Sequence, residues 1–211
     1  MRKPASMWSL ETLGRQRLSK HFFMREFLYS EIGNFHQQTN IPDDPELALA
    51  AGRGLCGALL EPLVETFGPI TVRSGFRSWD LNDFGNARRL NCARSEADRA
   101  GHVWDRRDAD GHMGAMATVV IPWFCDRYEA GRDWRDLAWW LYDHLEFDWA
   151  QFFPKLCAFN LGWREAPRRK ITSYIAPRGS LLAAGQVPKL TLAERARSYD
   201  DFPVFRGLSL P

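Results

Sequence analysis

Between positions 102 and 112 the chain places His102, Asp105, Asp108, Asp110 and His112. Imidazole and carboxylate groups suit zinc or iron, and one His with two carboxylates is enough to hold such an ion. His102, Asp105, Asp110 and His112 are therefore the candidate metal ligands. A metal-dependent hydrolase, or another enzyme built on this loop, is one functional reading. The same aspartates can instead pair with Arg99, Arg106 and Arg107 in a solvated loop, because clusters of this kind are usually surface ion pairs of small energetic consequence. Cys157 is a second chemical candidate, since a thiol becomes a nucleophile when a neighbouring base takes its proton, and His112 or His102 could be that base. Its setting, KLCAFNL, supplies no electropositive neighbour, which favours an inert buried thiol. His144 sits on an aromatic helical pattern as a packing residue, and the sequence names no partner for His21 or His36.

Composition narrows the classes. Of 211 residues, 45% are hydrophobic and 26% charged, which is ordinary for a globular chain that buries a core. A formal charge of +2 is too mild to imply a nucleic-acid partner. Cys56, Cys92, Cys125 and Cys157 contain no C-x-x-C pair and no zinc-knuckle spacing. MRKPASMWSLETL has no apolar run of the signal-peptide kind. No stretch reads as a membrane span of about 20 apolar residues. The expected location is the cytoplasm, with no membrane partner.

These residues need elements to position them. Residues 1–18 read as an N-terminal arm. Ser19 is expected to cap a helix carrying Phe23, Phe27 and Leu28 on one face, with Gly33 ending it. Asp44 is an N-cap with Pro45 at the first helical position of a long apolar helix reaching Phe67. Close packing is expected at Gly54 and Gly57, and a kink at Pro62. PITVRSG reads as a strand ending in a turn, SWDLNDFG as a helical turn, 86–111 as a charged insert, and AMATVVIP as a buried strand. Two helices follow, the second with Leu137, Trp140, Leu141 and His144 at helical spacing. PKLCAFNLGW and RKITSYIAP are expected to form a β-hairpin, and 181–211 a tail anchored by Phe202, Val204 and Phe205. The main domain would span 19–180.

The sequence LSKHFFMREFLYSE, a helix ending LLEPLVETFGPITV, and then SGFRSWDLN resembles the zinc D-alanyl-D-alanine carboxypeptidases and their phage endolysin relatives. The matching turn residues are Ser74, Gly75, Phe76, Arg77, Ser78, Leu81 and Asn82, and PRRKITSYIAPRG is similar to the closing hairpin of that family. The resemblance covers residues 18–180. It implies an α+β fold, a small antiparallel sheet flanked by helices. It also implies a zinc held by His, Asp and a second His, with a Glu as general base three residues before the second His. The first two ligands sit in S-x-H-x-x-G-x-A-x-D. The ungapped match is Asp110–Val119, in which His112 and Ala117 agree and the metal Asp falls on Val119. The family's E-x-x-H falls on Cys157-Ala158-Phe159-Asn160, placing Cys157 at the base and Asn160 at the second His.

The resemblance therefore implies a degenerate member without standard zinc-peptidase activity. In the family the arginine matching Arg77 reaches a substrate carboxylate, where a planar guanidinium gives two parallel hydrogen bonds. Ser74, Arg77, Ser78 and Asn160 are the expected ligand-binding residues, for a peptide or small carboxylate of peptidoglycan type. Arg77 and Ser78 bracing the turn is the competing reading. A third is a structural or interaction protein of phage or mobile-element origin, with the helix around Trp139 and Trp140 as a contact surface. The sequence fixes neither an oligomeric state nor whether 86–111 covers the site.

Overall fold

The computed structural model describes residues 1–207 and is an α+β fold. Residues 208–211 of the expected tail lie outside the described residues. The N-terminal arm contains a helix, α1 (Met7–Gly14), closed by a reciprocal Ser6–Ser9 capping box. Leu13 and Leu18 are buried, so no boundary separates the arm from the domain. Ser19 does not cap the next helix. Its hydroxyl donates to Glu61 at 2.6 Å, and α2 (Met24–Leu28) begins later. Gly33 does not end a helix either, because it lies inside α3 (Glu31–His36), which Ser30 caps.

Asp44 caps α4 (Pro45–Leu55) by accepting from the amides of Glu46 and Leu47 at 3.1 and 3.0 Å. The helix continues through a π-helical turn at Cys56–Leu60 into α5 (Glu61–Phe67). The wide turn gives room for Pro62, which has no N–H and whose ring would otherwise meet the carbonyl four residues back. The three segments together, 23 residues, are long and apolar enough to cross a membrane, contrary to the expectation that no such stretch exists. The most apolar window is 61% buried inside the fold, where it serves as the central core helix. A Cβ on Gly54 would come within 2.6 Å of the Trp163 ring, whereas Gly57 has open space beside it, so only one of the two expected close approaches exists.

Six strands form one sheet in the order β1-β2-β4-β3-β5-β6. They are β1 (Thr71–Ser74), β2 (Gly114–Val120), β3 (Trp149–Phe152), β4 (Phe159–Arg164), β5 (Lys170–Ser173) and β6 (Gly179–Leu182). All neighbours are antiparallel except β3 and β5, so the sheet is mixed rather than antiparallel. The expected hairpin between PKLCAFNLGW and RKITSYIAP does not form, because β3 lies between β4 and β5. Strands of four residues such as β3 and β6 carry too little alternation to be read from sequence.

One sheet face is apolar. Ala117, Val119, Ala150, Phe152, Phe159, Leu161 and Ile171 on that face join the core with α4, α5 and α8 (Trp134–His144). Trp139 and Trp140 are buried, so they present no contact surface. Between β1 and β2 lies α6 (Trp79–Ala87), and α7 (Pro122–Glu129) precedes α8. The tail is fastened by α9 (Leu192–Ser198). The Arg195 guanidinium and the Tyr199 hydroxyl both bind the buried Asp143 carboxylate on α8. Phe202 packs among Phe67, Trp123 and Phe124, and Phe205 against Trp140, while Val204 is exposed.

Candidate functional site

Strand alternation places one row of side chains on the face away from the core. Thr118 on β2 and Asn160 on β4 are register partners, and Gln151 on β3 is the next member of the row. The Thr118 hydroxyl donates to Asn160 Oδ1 at 2.6 Å, and Asn160 Nδ2 donates to Gln151 Oε1 at 3.4 Å. An irregularity between Val72 and Ser74 sets Ser74 opposite Thr118 and turns both Arg73 and Ser74 toward this face. Bulges commonly re-aim side chains beside sites in this way. Above Thr118 and Asn160 is a cleft of about 490 Å³, also lined by Glu31, Arg77, Asn91, Cys92, His102, Phe153 and Lys155.

The insert 86–111 is part of the fold rather than a lid over it. Ser95, Asp98 and the run from Ala100 to Asp105 are buried, with Trp104 in the core. The Asp98 carboxylate accepts from the His102 amide at 3.1 Å, and the His102 carbonyl accepts from the Arg77 amide at 2.8 Å. Two segments far apart in the chain are joined there. His102 Nδ1 lies 2.8 Å from the Gly75 carbonyl oxygen, which fixes the ring with its proton on Nδ1 and leaves the Nε2 lone pair to the cleft, where the Asn160 side chain faces it. Burial, helped by the Arg77 charge, pushes the His102 pKa down to about 3. The imidazole is neutral at ordinary pH.

Arg77 braces its turn and also lines the cleft. One terminal nitrogen donates to Asn82 Oδ1 at 2.9 Å and lies 3.8 Å from Asp98 Oδ2, while the side chain lines the cleft. Asn82 in turn donates to the Ala93 carbonyl and the Ser95 hydroxyl, tying the turn to the insert. Asp98 Oδ2 is buried without a hydrogen-bond partner, and desolvation raises the Asp98 pKa. Ser78 is a structural residue. Its hydroxyl accepts from the Leu81 amide as the cap of α6 and donates to the Thr39 carbonyl, away from the cleft.

The loop quartet is not a unit. His102 faces the cleft, whereas Asp105 is buried elsewhere and accepts from the Asp43 amide at 2.7 Å. Asp110 and His112 stay together with Asp108, and His21, Glu61 and Glu65 form a second group whose ligand atoms could converge on an ion. In each group some of the carboxylates are already engaged. Asp108 accepts from the amides of Asp110 and His112 and pairs with Arg164; Glu61 accepts from Ser19 and His21, and Glu65 pairs with Lys20. Cys157 belongs to the core and does not line the cleft, and burial pushes its thiol up to about 12, which removes it as a nucleophile.

The residues around His102 do not fit the zinc that the resemblance implies. Zinc sites are built from imidazole, thiolate and carboxylate. On the cleft side of His102 stand a neutral hydroxyl and a neutral amide already bonded to each other, while the Asp98 carboxylate behind it accepts from the His102 amide and lies beside Arg77. Val119, onto which the ungapped match placed the metal Asp, points into the core, and Thr118 occupies the cleft side of that strand. Thr118 went unnoticed in the sequence, although it is the only polar residue in the apolar run AMATVVI.

The turn before β4 supports the cleft rim. Leu156 and Cys157 both have left-handed backbone, φ 59° and 46°, and the Ala158 amide donates to the Lys155 carbonyl at 3.0 Å. Such mirror-image turns ordinarily use Asn or Gly. The site is thus a polar cleft on a mixed sheet, with a neutral His at its floor and cations in its walls. Comparison with known proteins gives no match to a family model, to a curated protein or to a solved structure.

Proposed function

We propose that the protein is a zinc-free relative of the D-alanyl-D-alanine carboxypeptidases that binds a small carboxylate, such as the end of a peptidoglycan-type peptide, without cleaving it. The observation that carries this reading is the cleft's chemistry. His102 is flanked by Thr118 and Asn160, which supply no charge to hold a metal, while Arg73, Arg77 and Lys155 supply cations to hold an anion. Binding needs only those donors, whereas hydrolysis needs an activated water and a base, and no carboxylate stands beside His102 among the described residues lining the cleft floor. The SGFRS turn supports the family reading, because it ends β1 at the cleft and delivers Ser74 and Arg77 to it.

A metal hydrolase built on the His102–His112 loop is less well supported, since His102 and Asp105 face away from Asp110 and His112, which alone converge with Asp108. Titration calorimetry with D-alanyl-D-alanine, paired with metal analysis of protein purified without chelator, tests the proposal. Expected are saturable binding, its weakening by tenfold or more in Arg77→Met, and no stoichiometric metal. Arg73→Met, which breaks no internal hydrogen bond, separates lost charge from a damaged turn. One zinc per chain together with release of free alanine overturns the reading.

A further inference from the structure

The charged residues of the cleft are not all of one sign. Arg73 and Lys155 form no ion pair and no side-chain hydrogen bond among the described residues, and neither does Glu31. Elsewhere in the chain exposed carboxylates near cations do pair, as Glu65 with Lys20 and Glu146 with Arg169. The cleft instead keeps opposite charges apart. Glu31 stands at the first position of α3, which Ser30 anchors by accepting from the Gly33 amide at 3.2 Å, so its backbone is held in place. Arg73 comes from the edge strand β1 and Lys155 from the turn before β4.

A ligand bearing only a carboxylate would meet Glu31 as a like charge and leave it unpaired. A ligand bearing a carboxylate and an amine satisfies both kinds of wall, and complementarity of that sort selects among partners more than it adds raw affinity. We infer that the ligand of this cleft is a zwitterion, an amino acid or short peptide with a free amine, and that Glu31 is the specificity residue that reads the ammonium. This rests on the carboxylate reading above.

The test compares D-alanyl-D-alanine with its N-acetyl derivative, which keeps the carboxylate and loses the cation. Wild type is expected to prefer the free amine by about tenfold or more, and Glu31→Gln, nearly isosteric, to bind the two equally while retaining the affinity for the acetylated form. Equal binding of both by wild type overturns this inference and leaves the carboxylate reading standing. A preference that survives in Glu31→Gln removes Glu31 from the role. Failure of both ligands to bind wild type overturns the carboxylate reading and this inference with it.

Discussion

The Thr118 hydroxyl donates to the Asn160 side-chain oxygen at 2.6 Å across the β2–β4 pair, directly in front of a buried neutral His102. The side-chain amide of Asn160 accepts from a hydroxyl on β2 and donates to Gln151 on β3, so it joins three strands in one row. Buried polar groups are costly when unpaired, so a closed set of this kind holds the sheet face in one arrangement. It also leaves the charges of the cleft walls, rather than its floor, to recognise a ligand.

The first prediction concerns that floor. The double variant Thr118→Asp/Asn160→His places a carboxylate and a second imidazole beside His102, the donor set that zinc takes. It is expected to bind about one zinc per chain by metal analysis and calorimetry, while wild type and each single variant bind none at this place. A double variant that folds and stays metal-free would show that the row is not spaced to close on an ion.

His102 makes acid stability a second test. Its folded pKa lies near 3, below the ordinary 6.5, so between those values the unfolded chain binds a proton that the folded chain does not. Stability from this group is complete above about pH 6.5 and falls by about 1.4 kcal/mol per unit as pH drops toward 3. His102→Asn keeps a donor toward the Gly75 carbonyl but cannot take up a proton. Denaturant unfolding of both proteins across this range should show the wild type losing stability faster, and parallel curves would contradict the buried neutral ring.

The turn at Leu156 stores strain. A residue with a side chain held in left-handed backbone costs about 1–2 kcal/mol. Leu156 is 43% exposed, so little packing is lost on truncation. Leu156→Gly is expected to raise the unfolding free energy by about 1 kcal/mol, measured by urea denaturation, and a loss of stability would count against the geometry.

Gly54 gives the opposite sign. A methyl group there would fall 2.6 Å from the Trp163 ring, so Gly54→Ala forces the helix off the sheet despite its better helix propensity. A loss of about 1–3 kcal/mol is expected from overpacking. Gly57→Ala, with open space beside it, is the matched control and should be neutral or stabilising.

The clasp of the tail is tested through Asp143. Its carboxylate, almost fully buried, receives both Arg195 and Tyr199. Asp143→Ala leaves a nearly buried guanidinium uncompensated and is expected to cost about 3 kcal/mol, within the range for breaking a buried pair by removing one partner. Limited proteolysis should then cut within 183–207 first.

The long central helix, its Asp44 cap, the first two strands of the sheet and the helical pattern around Trp140 were legible because each carries a strong local signal. Asp44-Pro45 states a helix start in two residues, and seven residues of AMATVVI sustain a buried run. The rest depended on non-local pairing. Nothing within WAQF says that it will enter between two later strands, one of them parallel to it. The same holds for the site. Ser74, Arg77 and Asn160 line the cleft and Ser78 does not, and the choice between His102 and His112 turned on how the insert folds. One residue of register decided between Val119 and Thr118, because successive side chains on a strand face opposite ways.

The parts of the cleft are drawn from Ser30 to Asn160, and Thr118 and Asn160 on its floor lie 42 positions apart. The β3–β4 hairpin can close early, since its ends are joined by a short turn, but β2 must find β4 across a large loop, at an entropic cost that grows with its length. The cleft therefore comes into being with the whole sheet and not with any one segment. A molecule seated in it is bound only by the fully assembled chain, so its affinity should appear as slowed amide hydrogen exchange throughout the six strands and a higher melting temperature of the entire fold, rather than as the quieting of a single loop.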